Sequence, residues 1–297
     1  MPRATREIRR RIRSVTNTRK VTKAMELVAS AKMRRAVQAM LATRPYAKRA
    51  WELLLDLASR TDREAHGLLR RSLGQKVGLV LVSSNRGLVG GFNTQLVNSL
   101  VQYLEREQAS GGGKPDIVLL GKKGRSIVHK YGYPAVAEFA KLDVISRIQD
   151  IRPLVHLVIN DFRSGKYDRI MMAYTDFIST LVQKPQIRQL LPLEPSSADQ
   201  TRSEVNATSW RGEYLFEPNP DDVFEVLLPR LVEIQLFQAV LESTAAEHAS
   251  RMVAMRNASD AASDLIDDLT LSFNQARQAG ITQDLAEISA SRVAVEA

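Results

Sequence analysis

From Arg230 to Ala279 the chain runs fifty residues without a Gly or Pro, and small or apolar side chains recur through the stretch every seven residues. One seam holds Leu227, Ile234, Leu241, His248, Met255, Ala262, Leu269 and Ala276; the interleaved seam holds Leu231, Gln238, Ala245, Met252, Ser259, Ile266, Phe273 and Gly280. A strict seven-residue repeat predicts a left-handed supercoil with another helix, because a stripe on a straight helix would drift away from it. At ~1.5 Å per residue the segment reaches roughly 75 Å, beyond the usual helix of a globular domain. A partner helix has to run beside it.

The start of the chain supplies one. Residues 3–44 also lack Gly and Pro, and Ile8, Ile12, Val15, Val21, Met25, Val28, Ala36 and Met40 recur near helical spacing. Everything between the two helices leaves from the end of the first and returns at the start of the second, so the pair is expected to be antiparallel. The first helix reaches about 63 Å and the last, continued to Val295, roughly 100 Å. Residues past about 275 therefore overshoot, yet Ile281, Leu285, Ile288 and Val295 continue the apolar stripe. Such an uncovered stripe predicts a sleeve made by other subunits.

Charge separates the two arms. Residues 1–50 carry fifteen Lys or Arg against Glu7 and Glu26, a net +13, so the rest of the chain is net −4 within a total of +9. A basic arm of that kind fits nucleic acid or an acidic protein surface. Residues 1–45 hold none of the Phe or Trp that would stack bases, which leaves only phosphate contact for the nucleic-acid reading. With no Cys there is no thiol nucleophile, disulfide or Cys-ligated metal. No apolar run approaches the ~18 residues that span a bilayer.

Between the arms the pattern changes. Pro45 predicts a kink followed by helix to about Arg60, and residues 61–75 suit a linker. Val77–Val82 and Ile117–Leu120 are continuous apolar runs of strand length, as expected for strands buried on both faces. Helices are expected over 93–108, 124–130 and 146–164, with further strands over 170–174 and 186–193. The alternation predicts an open, mostly parallel α/β sheet, Rossmann-like. Residues 194–209 read as a loop and Tyr214–Phe216 as a last short strand. Asn219, Pro220, Asp221 and Asp222 form a helix start, and Pro229 is expected to bend that helix. The expected organisation is 1–60 as N-terminal coiled-coil helix, 75–217 as α/β domain and 219–297 as C-terminal coiled-coil helix.

No chemistry assembles. The cluster Arg86, Gly87, Leu88, Val89, Gly90, Gly91 sits where phosphate loops sit, but fits neither GxGxxG nor GxxxxGK[ST]. It reads as a tight strand-to-helix turn, as does Gly121–Gly124. His66, His129, His156 and His248 are scattered, so no metal or cofactor is expected. His248 falls on the seam, where a polar residue sets register, and Gln238 and Ser259 read likewise. Spacing alone places a mechanical coiled coil above a nucleic-acid binder, and both above an enzyme.

Both ends carry specific motifs. Ile12–Ala36, IRSVTNTRKVTKAMELVASAKMRRA, and Ala249–Ile288, ASRMVAMRNASDAASDLIDDLTLSFNQARQAGITQDLAEI, resemble the gamma subunit of F-type ATP synthases, as do SSNRGLVGGFN and YLFEPNPDDVFEVLLPRLVE between them. The resemblance implies a non-catalytic rotor shaft that couples proton flow to ATP synthesis. Its partners would be the alpha and beta subunits of the catalytic hexamer, the epsilon subunit and the c-subunit ring, with no nucleic acid. It would be a peripheral protein at the cytoplasmic face of a bacterial membrane. By the same resemblance Lys20, Lys23, Met25, Arg277, Gln278 and Thr282 contact beta-subunit loops. Asn85 stands where the family usually has Asp, Gln275 where a basic residue is common, and the tail SASRVAVEA is less smooth than usual. The Cys-bearing insert of chloroplast relatives is absent, which excludes thiol control.

Overall fold

The computed structural model describes residues 3–60, 67–70, 74–109, 111, 113–133, 135–141, 143, 147–193 and 219–296. The chain packs as two units, Met1–Ser30 with Arg251–Ala297 and Ala31–Ser250. Helices α1 (Arg3–Arg60) and α5 (Pro220–Glu296) contribute to both. Each contains a proline, Pro45 and Pro229, yet neither proline ends its helix. Each lacks one N–H, which costs one helical hydrogen bond. Asn219 caps α5: its Oδ1 accepts from the Asp222 amide at 2.9 Å, with Pro220 at the first helical position.

In the unit of 1–30 and 251–297, the two helices run antiparallel. The Arg9 guanidinium lies 5.6 Å over the Phe273 ring, Arg19 reaches Ser263 at 3.4 Å, and the Thr22 and Ser259 hydroxyls meet at 2.7 Å. On α5 the predicted seam is the covered face: Met255, Ser259 and Ala262 are buried, and Ile266, Leu269, Phe273 and Ala276 half-buried. The seam of α1 differs from expectation. Thr5 and Ala29 are buried and Ile8, Ile12, Val15 and Thr22 half-buried, whereas Val21 and Val28 are exposed. Seven-residue steps from Val15 lead to Thr22 and Ala29, so Val21 and Val28 lie one residue, about 100° of helix rotation, off the seam. Ile281, Leu285 and Ile288 are each more than half exposed, as the overshoot predicted.

In the unit of 31–250, five strands form one sheet in the order β3-β2-β1-β4-β5. They are β1 (Val77–Val82), β2 (Asp116–Leu120), β3 (Ala135–Phe139), β4 (Arg169–Phe177) and β5 (Gln183–Leu191). Pairs β1–β2, β1–β4 and β2–β3 are parallel and β4–β5 antiparallel, so the sheet is mixed, with the parallel part at its centre. Alternation along the strands splits the core in two. Leu79, Leu81, Ile117, Leu119, Met171 and Ala173 face α2 (Phe92–Ala109) and α3 (Lys123–Lys130). Val80, Val82, Val118, Leu120, Met172 and Tyr174 face α4 (Arg152–Arg163), Met40 of α1 and Phe224–Leu241 of α5. Helix α5 is thus part of the domain's own core, which is why nearly all of Leu231–Ala249 is buried.

Two elements of this unit depart from expectation. Strand β3 was not expected; its burial alternates along AVAEF, as befits an edge strand with one solvent face. The expected linker contributes Leu68 and Leu69 to the core, and the Leu68 carbonyl accepts from the Leu193 amide at 3.0 Å. The expected loop 194–209 and strand Tyr214–Phe216 lie outside the described residues.

Candidate functional site

In an open α/β sheet a ligand would enter at the carboxyl ends of the parallel strands, where the strand order reverses. Here the ends of β1 and β2, on one side of that point, are bonded to each other by the protein's own groups. Ser83 Oγ donates to the Gly121 carbonyl at 2.9 Å and accepts from the Gly124 amide at 3.0 Å. Asn93 Oδ1 accepts from the Ser84 amide at 3.1 Å, and its Nδ2 donates to Ser84 Oγ at 2.7 Å. A Cβ on Gly121, whose φ is +107°, would stand 2.3 Å from the Ser83 carbonyl oxygen. These glycines serve close packing of one turn on another, as a tight strand-to-helix turn requires, and leave no cradle for a phosphate. Among the described residues no group of three His, Asp or Glu is placed to hold a metal, and no helix is long and apolar enough to cross a membrane.

The polar chemistry instead lies along α5. Glu233, buried, accepts from Arg152 of α4 at 3.2 Å and pairs with Arg230. Gln238 accepts from Thr43 of α1 at 2.9 Å and donates to Glu242 at 3.1 Å. Glu247 pairs with Lys141, just after β3, at 2.8 Å, and both side chains are more than nine-tenths buried. His248 Nε2 lies 2.7 Å from the Asp143 carbonyl, so it anchors a neighbouring segment in addition to sitting on the seam. The Asp143 carboxylate accepts from Lys32 of α1 at 2.8 Å and faces Arg86 at 3.9 Å. The Lys32 bond, outweighing partial burial, holds the Asp143 carboxyl below the usual carboxylate range. Asn85 donates its side-chain amide to the Lys141 carbonyl and accepts from the Lys122 amide at 3.3 Å. Sequence reasoning marked Asn85, Gln238 and His248 but not Lys32, Lys141, Asp143 or Glu247, whose partners are more than one hundred residues away.

The residues expected to contact a partner fall in two patches. Lys20, Lys23 and Met25 are on α1, Lys23 paired with Glu26 at 3.0 Å and Met25 half-buried. Arg277, Gln278 and Thr282 are exposed on α5, the Thr282 hydroxyl donating to the Gln278 carbonyl at 3.0 Å. Because Arg19 and Thr22 meet Ser263 and Ser259, Arg277 lies about 20 Å farther along the pair at ~1.5 Å per residue, so the patches do not form one site.

The architecture is thus a long antiparallel helix pair in one unit and a five-stranded mixed α/β sheet covered by helices in the other. The family model described as ATP synthase matches residues 4–295. ATP synthase gamma chains of Chloroflexus aurantiacus, Roseiflexus castenholzii and Coxiella burnetii are 41%, 42% and 40% identical over 98% of this chain and 98–99% of theirs. Among solved structures, the fold is similar to a chain of the Euglena gracilis mitochondrial ATP synthase, with a TM-score of 0.64, 18% identity, and coverage of 98% of this chain and 94% of that one. A chain of the central stalk and c-ring of the Tetrahymena thermophila enzyme gives a TM-score of 0.57 at 21% identity, covering 80% of this chain and 99% of that one. The chain belongs to the ATP synthase gamma-chain family, and its role is the rotor shaft expected from its terminal motifs.

Proposed function

We propose that this shaft turns inside a hexamer of alternating alpha and beta subunits, rests with epsilon on the c-subunit ring, and couples proton flow to ATP synthesis. It works at the cytoplasmic face of a bacterial membrane, to which it is peripheral through the complex. Residues 1–60 and 219–297 form the arms and 75–217 the foot. The observation that carries the reading is the helix end past Gly280: Ile281, Leu285 and Ile288 form an apolar stripe that the chain leaves exposed, beyond a seam that is covered as far as Gly280. One asymmetric helix pair in a threefold ring presents a different face to each catalytic site, and so biases each toward a different nucleotide affinity. Turning the shaft permutes the three states.

In this reading Lys20, Lys23 and Met25 meet acidic beta-subunit loops, and Arg277, Gln278 and Thr282 meet a second beta-subunit loop. Exposed cations on α1 and exposed hydrogen-bonding groups on α5 support both assignments. Arg277→Ala with Gln278→Ala is expected to lower ATP turnover of the assembled complex about tenfold, the loss of one or two charge-assisted hydrogen bonds. Hydrolysis and synthesis unchanged from the parent would remove these residues from the contact.

A further inference from the structure

The parallel strands end in turns that are bonded, through one short segment, to both long helices. Asn85, in the turn after β1, holds the Lys141 carbonyl and the Lys122 amide. Lys141 then reaches Glu247 of α5, the Asp143 carbonyl reaches His248, and the Asp143 carboxylate reaches Lys32 of α1. All of these groups lie within the unit of 31–250.

The helix surface at this level makes the polar bonds matter. Around Glu247 the buried residues Ser243, Thr244, Ala245, Ala246 and Ala249 are small side chains with little relief, and the large ones among them, Glu242 and His248, are polar. Apolar burial is non-directional, and a smooth helix can be turned in its socket with little change in buried area. A buried ion pair is different: turning the helix by one residue would break the Lys141–Glu247 bond while both groups stay desolvated. Directional bonds therefore stand where steric keying is weakest. Position 85 fits the same purpose, because an Asn can donate to the Lys141 carbonyl while accepting from Lys122, and an Asp could only accept.

We propose that Lys141 and Glu247, with Asn85, Asp143, Lys32 and His248, are positioning residues that lock the sheet against rotation about α5, so that the domain and the shaft turn as one. The proposal rests on the rotor reading. Replacing the pair by apolar residues of similar size, Lys141→Met with Glu247→Leu, removes the key without burying a lone charge, and such replacements commonly preserve stability.

The test uses the complete ATP synthase carrying this chain, its hexamer fixed to a surface and a gold rod attached through Ser126→Cys, an exposed α3 position in a chain that otherwise has no Cys. With the apolar pair, the angular variance of the rod at each dwell is expected to widen about twofold, and protons pumped per ATP to fall, while ATP hydrolysis persists and thermal unfolding stays near that of the parent. Asn85→Asp is expected to widen the variance to a smaller extent. Should the apolar pair fail to assemble, Lys141→Gln with Glu247→Gln replaces it, keeping both side chains polar while removing the charges, and is expected to widen the variance likewise. Angular variance and pumping equal to the parent in whichever of these variants assembles overturn the proposal; a change in thermal unfolding alone assigns the pair a purely structural part, and also overturns it. A rod that never turns with ATP in the parent complex refutes the rotor reading instead.

Discussion

Single positions in this chain differ sharply in what a small change does. Gly121 has a φ of +107° and a Cβ there would stand 2.3 Å from a backbone oxygen, whereas Gly132, at +77°, has nothing within 4 Å. Gly121→Ala is therefore expected to cost roughly 2–4 kcal/mol, backbone strain plus overpacking, and Gly132→Ala only about 1 kcal/mol of strain. Urea unfolding of the two variants in dilute solution would rank them; equal losses would contradict the packing argument. Asp143 gives a pH dependence. Its pKa is lowered in the folded chain, chiefly by the bond from Lys32, so its contribution is full above the unfolded value and disappears as pH falls through the folded one. Because the carboxylate is partly exposed, the effect is under about 1 kcal/mol. The gap between the parent and Asp143→Asn should be present at neutral pH and close below about pH 4, read by unfolding at both.

Along the elements, the helix seam of α5 was readable because its period and its burial coincide: all sixteen positions are buried or half-buried. The seam of α1 was readable only in part: Ile8, Ile12, Val15, Met25, Ala36 and Met40 are buried or half-buried, but the seam also passes through Thr5, Thr22 and Ala29 while Val21 and Val28 stand beside it. Apolar identity misleads wherever a small or polar residue fills the contact. Strand β3 was hidden for a related reason, since its AVAEF alternates and lacks the bulk of β1 and β2. The bonded ends of β1 and β2 were legible from glycine spacing alone. The polar network was not, because a lysine after one strand and a glutamate on a distant helix carry no local pattern. Burial decides the cost of truncation along α5. Leu241→Ala, fully buried against the sheet, is expected to cost ~2–5 kcal/mol, and Leu285→Ala, exposed, to stay within ~0.5 kcal/mol in the isolated chain. Denaturant midpoints of the two variants check the contrast.

For the whole molecule, the consequence is a protein completed by its neighbours. In the purified chain, amides after Gly280 are expected to exchange hydrogen quickly, and in the assembled complex slowly, since the proposed sleeve would cover the stripe of Ile281, Leu285 and Ile288 that the chain alone leaves exposed. Protection of that stretch in a monodisperse isolated chain would argue against a sleeve. The same stripe bears on how a cell keeps subunits in proportion. A copy made in surplus displays a greasy end that quality-control proteases and chaperones favour, so its half-life should lengthen sharply once a hexamer engages it. Supply of the axle would then follow the number of available housings, with no dedicated regulator.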